Sequence, residues 1–216
     1  MLTMLRKLDQ EQTPRDYSLA GIDLGGPRTR VLARAVCYNS TLTTLHLARK
    51  NIQDMDGIEL ARMLFNNTTL RKLELEGNNL STKSAKEFGI ALRHNTTLKF
   101  LDLESNQLTA DGEDNNGLQV FIDALKNNKN LISLNLGNNK IDDSTGGLLK
   151  QCIEINTTLI DFEFGFNNIS LNDVSRVDFL YNHVPVFSNV KSKSTSAETN
   201  RNTTRHASKN GRKESR

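Results

Sequence analysis

Leucine returns in this chain at fixed intervals, and those intervals leave little freedom in the fold. Leu42, Leu70, Leu98, Leu131 and Leu159 each open a stretch of the same design, at steps of 28, 28, 33 and 28 residues. The apolar positions run Leu42, Leu45, Leu47, Ile52; then Leu70, Leu73, Leu75, Leu80; then Leu98, Leu101, Leu103, Leu108. They continue as Leu131, Leu134, Leu136, Ile141 and as Leu159, Phe162, Phe164, Ile169. Self-similarity at such a period marks an architecture of stacked repeats. One matching stretch would be weak, whereas five in register are not a product of chance. A degenerate unit is expected ahead of them at Leu19, Ile22 and Leu24, with five residues missing. The five extra residues of the longer step fall around Asp111 to Gly117.

The closely spaced apolar positions alternate along a short strand and point inward. The second half of each unit reads as helix. Leu60, Ala61 and Leu64 share one helical face, and Phe88, Gly89 and Leu92 match them. No unit buries its apolar face alone, so neighbours must stack into one continuous core. The pattern Leu-x-x-Leu-x-Leu-x-x-Asn-x-Leu resembles the leucine-rich repeat, and its 28-residue period resembles the ribonuclease-inhibitor-like subtype. The resemblance covers residues 19 to about 182. It implies an α/β solenoid, a partial horseshoe with parallel strands on the concave face and helices on the convex face. It also implies a ladder of Asn78, Asn106, Asn139 and Asn167, at the ninth position, that satisfies backbone groups as the chain leaves each strand. Lys50 holds that place in the first full unit and Pro27 in the degenerate one, so the ladder is expected to fail at the N-terminal end. A recurring Asn-Thr-Thr phrase follows the helices. Asn67, Asn95, Asn128 and Asn156 are expected to end them in the left-handed conformation that Asn tolerates. The threonines then lead into the next strand.

By domain, residues 1–18 read as an N-terminal capping segment and 19–182 as a repeat domain of about six units. Residues 183–216 read as a C-terminal extension, with a disordered basic tail from about residue 190. The chain carries +3 overall, but residues 191–216 hold eight Lys or Arg against two Glu, which leaves −3 on the first 190 residues. An acidic body with a basic tail bears on partners, not on fold. The tail is polar and without apolar period, hence the expected disorder. It has no aromatic residue for base stacking, so only non-specific electrostatics toward nucleic acid is expected. Cys37 and Cys152 match no metal-ligand spacing and read as buried or half-buried free thiols. No apolar run approaches the ~18 residues of a membrane span, and the first residues lack the layout of a signal peptide. The expected location is therefore cytoplasmic. In that setting the Asn-x-Ser/Thr sequons at Asn39, Asn66, Asn67, Asn79, Asn95, Asn156, Asn168 and Asn202 read as structural positions, not glycan acceptors.

The charges between the leucines point out of the concave face. The fifth positions are His46, Glu74, Asp102, Asn135 and Glu163; the seventh are Ala48, Glu76, Glu104, Gly137 and Gly165. Parallel strands lie roughly 4.8 Å apart, so Glu74 is expected beside Asp102 and Glu76 beside Glu104. Like charges so placed repel by up to about 1 kcal/mol even in water. Two readings stay open. Arg71, Lys72 and Lys99 offset the acids as ordinary surface pairs, or the face recognises a basic partner. Phe100 at a third position and Phe166 at an eighth favour the second, since exposed aromatics beside charge are typical of binding hot spots. The candidate partner-binding residues are His46, Arg49, Glu74, Glu76, Phe100, Asp102, Glu104, Asp161, Glu163 and Phe166.

No catalytic chemistry is legible. His46, His94, His183 and His206 are scattered, and none joins a nucleophile motif. The glycines of residues 21–30 form no phosphate-binding loop. Carboxylates on an open curved surface are not expected to have raised pKa values. The stretch from Asp111 faintly resembles a calcium loop, but Asn116 takes the glycine place and Ile122 the place of the bidentate Glu. No enzyme, metal or cofactor is expected. Related short proteins of this subtype look like adaptors, which implies a monomeric scaffold for a basic or mixed-charge protein segment, in a cytoskeletal, ciliary or signalling assembly. Two alternatives stand beside it. An actin-filament pointed-end capping module of the tropomodulin type is suggested by Leu103 to Asn106 and Gly26 to Arg30, although the latter lie at the opposite end of the array from their place in that family. Ran GTPase-activating proteins share the repeat subtype and assist phosphoryl transfer in a bound GTPase; they carry an acidic tail where this chain has a basic one.

Overall fold

A computed structural model describes residues 2–10, 14–18, 24, 26–110 and 114–170. Helices and strands alternate along it. They are α1 (Leu2–Asp9), β1 (Asp16–Ser18), α2 (Pro27–Cys37), β2 (Thr44–His46), α3 (Asp54–Asn66) and β3 (Lys72–Glu74). There follow α4 (Thr82–His94), β4 (Phe100–Asp102), α5 (Asn116–Asn127), β5 (Ser133–Asn135), α6 (Asp143–Ile155) and β6 (Asp161–Glu163). The strands form one parallel sheet in sequence order, β1 to β6. This is an α/β leucine-rich repeat solenoid, strands along the concave side and helices along the convex side.

Each strand is three residues long, and only its central side chain turns inward. Leu45, Leu73, Leu101, Leu134 and Phe162 align in register and are buried. The first, sixth and eleventh positions of every full unit join them. Each fully buried Leu contributes about 1.5–3 kcal/mol, and the stacking makes that burial continuous from unit to unit. The helices answer from the other side with Leu60, Ala61, Leu64, Phe88 and Leu92. Glycine sets the closest approach. A Cβ on Gly89 would lie 2.6 Å from the Phe121 Cα, and one on Gly117 would lie 1.7 Å from the Thr82 carbonyl oxygen. Both contacts seat α5 tightly on α4 in the longer unit. Of the insertion that makes it long, residues 111–113 lie outside the described residues.

The first unit differs from the sequence expectation. β1 pairs with β2 with Tyr17 opposite Leu45, which is a full 28-residue step. The unit therefore starts at Pro14 with Tyr17 in the inward place, not at Leu19 with five residues missing. Leu24, fully buried, stands 28 residues before Ile52. Pro27 does not hold a ladder place; it opens α2, where its missing N–H costs nothing. The period reaches further back still. Leu8 in α1 precedes Val36, Leu64 and Leu92 by successive 28-residue steps, and its carbonyl is used as theirs are. Repeat structure thus begins inside the segment expected to be a separate cap. The tail and the boundary near 182 lie outside the described residues.

Two lines of asparagine run through the solenoid. Asn78 donates to the Leu47 and Leu75 carbonyls at 2.9 and 2.8 Å and accepts from the Lys50 and Ile52 amides at 2.9 and 3.0 Å. Asn106, Asn139 and Asn167 repeat this with their own neighbours. The second line is Asn39, Asn67, Asn95, Asn128 and Asn156. These residues follow the helices but are not left-handed; the last four have φ near −70° and ψ near 130°. Their role lies in the side chain. Asn67 donates to the Val36 and Asn39 carbonyls at 2.8 and 3.2 Å and accepts from the Thr69 and Leu70 amides at 2.8 and 2.6 Å. Asn39 reaches the Leu8 carbonyl at 2.9 Å, and Asn95, Asn128 and Asn156 reach those of Leu64, Leu92 and Leu125. All five are buried. The sequon amides at Asn39, Asn67, Asn95 and Asn156 are thereby consumed by the fold. Cys37 and Cys152 are free thiols, half-buried and buried, and burial raises the pKa of each, that of Cys152 to about 11.

Candidate functional site

Because each strand is so short, it offers only its first and third side chains to the concave face. These are Thr44 and His46, Lys72 and Glu74, Phe100 and Asp102, Ser133 and Asn135, Asp161 and Glu163. Register places Glu74 directly beside Asp102. Just beyond the strands Glu76 and Glu104 are neighbours as well, since the Gly77 amide donates to the Glu104 carbonyl at 2.9 Å.

The N-terminal half of this face is closed by ion pairs. His46 bridges two carboxylates, Glu74 through Nδ1 and Asp16 through Nε2 at 2.9 Å. Lys72 Nζ lies 2.7 Å from the other Glu74 oxygen, and Arg49 reaches Glu76 at 2.7 Å. The titration follows. Burial works against ionisation of both His46 and Glu74. It is outweighed at His46 by Glu74 and then Asp16, which raise its pKa, and at Glu74 by Lys72 and His46, which lower it. Asp16 joins this network from a strand that the leucine spacing did not reveal.

The C-terminal half is open. Among the described residues no Lys, Arg or His pairs with Asp102, Glu104, Asp161 or Glu163. Of the three expected compensating cations only Lys72 takes an acid of this face; Arg71 and Lys99 take none. Neutral donors partly serve the carboxylates instead. Asn135 donates to Glu104 at 2.8 Å, Ser133 to Asp161 at 2.7 Å, and the Glu104 amide to Asp102 at 2.9 Å. Burial, with the charges of Glu104, Glu76 and Glu74, pushes Asp102 up to about 6 against its one amide bond. Burial, then Asp161 and Glu104, raises Glu163. The expectation of ordinary carboxylates on an open surface fails here, because the sheet floor desolvates Asp102 and the register crowds it with like charge.

Shape reinforces the contrast. Over β5 the short side chains of Ser133 and Asn135 leave a depression of about 370 Å³, between Phe100 and Asp102, with Lys72 and Glu74 behind them, on one side and Asp161 and Glu163 on the other. Phe100, at its edge, is 43% exposed, and Phe166 is 55% exposed beyond β6. Phe166 holds the eighth position, which is left-handed in all five full units: Arg49, Gly77, Ser105, Asn138 and Phe166 have φ of 57°, 65°, 55°, 52° and 60°. A bulky residue there is strained. Arg49 also occupies this position, so the structure puts both at the rim, Glu76 and Glu104 just beyond the strands, and the remaining candidates on the sheet itself.

One helix and one strand per turn, stacked in parallel around two asparagine ladders, define an α/β repeat solenoid. The Leucine Rich repeat family model matches three of these turns, residues 66–89, 94–112 and 127–146, in keeping with the fold. Among solved structures the chain is similar to the tropomodulin C-terminal domain of Caenorhabditis elegans, with 16% identity and a TM-score of 0.59, over 71% of this chain and 91% of that one. It is also similar to a leiomodin-1 chain described as actin-binding site 2, with 17% identity and a TM-score of 0.46, over 82% of this chain and 85% of that one. An internalin of Listeria monocytogenes gives 17% identity and a TM-score of 0.36, over 66% and 47% of the two chains. At such identities the tropomodulin likeness is one of fold, and the other two add nothing to it. No curated protein matches the sequence.

Proposed function

We propose that this chain is a non-catalytic scaffold whose concave face holds a basic or mixed-charge protein segment. The observation that carries the reading is a group of carboxylates with no ion pair among the described residues: Asp102, Asp161 and Glu163 line a depression edged by exposed Phe100, and Glu104 lies beside them on the Asn135 amide. A Lys or Arg entering there would relieve the like-charge repulsion and lay its stem on the ring. A cytoplasmic location fits this reading. No described helix is long and apolar enough to cross a membrane. The test is affinity capture with mass spectrometry, using the parent chain and a variant with Asp102→Asn, Glu104→Gln, Asp161→Asn and Glu163→Gln, its fold checked by circular dichroism. Partners that cross-link through Lys- or Arg-rich segments to the parent should be lost by the folded variant. An unchanged partner set would remove the concave face from consideration.

A second reading is a pointed-end capping module of the tropomodulin type, favoured by the likeness of fold. It predicts slower depolymerisation of diluted actin filaments in the presence of this chain. Unaltered filament loss would set it aside.

A further inference from the structure

We propose that residues 191–216 of this same chain are a ligand for the carboxylates left open over β4 to β6, held in cis. The proposal rests on the reading of the concave face as a site for basic segments and names its first occupant. Three observations meet. The first is charge. Residues 191–216 carry a net +6, and the rest of the chain carries −3. The second is place. The acids of the N-terminal half already have His46, Lys72 and Arg49 as partners, so a cationic segment gains most by settling on Asp102, Glu104, Asp161 and Glu163.

The third is reach. The described chain ends at Ser170, seven residues past β6, and its amide is held by Asp143 at 2.5 Å. The open half of the face is therefore the half beside the chain's exit. Twenty residues separate Ser170 from Lys191. Even a chain of that length wound wholly as helix spans about 30 Å, whereas β6 and β4 lie only about 10 Å apart across two strand spacings. A tether of this kind gives an effective concentration on the order of 1 mM, enough for an individually weak, salt-screened contact to be occupied.

The consequence is regulation. An outside basic segment must displace the chain's own, so only a better ligand is admitted. Ser192, Ser194, Thr195 and Ser196 stand beside Lys191 and Lys193. A phosphate on any of them would repel the carboxylates and free the face.

The experiment titrates a synthetic peptide of residues 191–216 into two full-length proteins at low ionic strength. One is the parent; in the other the eight Lys and Arg of 191–216 are changed to Gln. The neutral-tailed protein should bind the peptide at least tenfold more tightly than the parent. Adding Asp102→Asn, Glu104→Gln, Asp161→Asn and Glu163→Gln to it should abolish binding while circular dichroism stays unchanged. Equal affinity for the two proteins, or no binding to the neutral-tailed one, would overturn the cis contact. Those results leave the scaffold reading standing wherever the four-carboxylate variant still loses its captured partners. If it loses none, the scaffold reading falls on its own account.

Discussion

The two halves of the concave face stand on one frame and end in opposite states. From β1 to β3 every outward acid has a cation within reach, supplied by His46, Lys72 or Arg49. From β4 to β6 stand Asp102, Glu104, Asp161 and Glu163, and no described cation forms an ion pair with them; Arg49, already on Glu76, acts on Glu104 only through its charge. The backbone does not register the difference. The amide of the sixth position bonds to the next unit's fifth-position carbonyl at 2.8 Å from Leu47 to Glu74 and at 2.7 Å from Leu136 to Glu163. What this teaches is a division of labour. Inward leucines and buried asparagines specify the solenoid, and the outward residues are left free to be closed within the fold or kept for a guest.

If the halves differ only in their faces, damage to the frame should cost the same in each. Asn67 and Asn156 make equivalent sets of four bonds to backbone groups, two carbonyls 28 and 31 residues earlier and two amides just ahead. Replacing either with Ala strands buried donors and acceptors at about 1–3 kcal/mol for each group that water cannot reach. Asn67→Ala and Asn156→Ala should therefore each lower stability by about 3 kcal/mol in urea unfolding. This is the largest effect expected. Costs that differ twofold would mean that the frame, too, is weaker in one half.

Much of that frame is legible in the sequence, because burial selects residue type and the period fixes place. Leu73 and Leu101 announce their strands by spacing alone. Tyr17 does not, since a half-buried aromatic in the leucine place leaves no leucine to count, and leucine spacing alone therefore sets the first unit five residues late. The second asparagine ladder was hidden differently. Asn after a helix suits a left-handed turn as well as a buried amide, and only three-dimensional stacking shows that Asn95 reaches the Leu64 carbonyl. The site was legible as positions but not as pairings. Counting puts Glu74 beside Asp102. It does not reveal that Lys72 and His46 both turn to Glu74, or that Asp102 keeps only the Glu104 amide, since side-chain rotamers carry no period.

The rim offers a sharper contrast at one backbone position. Gly77 and Phe166 occupy equivalent left-handed places; glycine adopts that conformation without strain and phenylalanine does not. Phe166→Gly should stabilise the fold by about 1 kcal/mol, read as a raised unfolding midpoint. It should also weaken capture of any basic segment by the open half, because an exposed ring is lost. A stabilised variant with undiminished capture would show that Phe166 is strained without being used.

The smallest effects separate the halves by sign. Asp102 has its pKa raised to about 6 in the folded protein, above the usual carboxylate value near 3.9. Its ionisation thus opposes folding. The protonated group's contribution is fully present below about pH 4 and is lost as pH rises through 6. Glu74 is lowered by Lys72 and His46 against its burial, so its contribution is present above the unfolded value and is lost as pH falls through the folded one. Asp102→Asn keeps an oxygen for the Glu104 amide and removes the charge. At pH 7.5 it should stabilise by roughly 1 kcal/mol, a figure discounted for partial exposure, and the gain should vanish at pH 4. Glu74→Gln should do the reverse, costing about 0.5 kcal/mol at pH 7.5 and nothing once the carboxylate is protonated. Urea midpoints for both variants and the parent at pH 7.5 and pH 4, extended further into acid for Glu74→Gln, decide the matter. An Asp102→Asn variant that is no more stable than the parent at pH 7.5 would mean that the acids of the open half are balanced within the fold, and that no guest is needed to explain them.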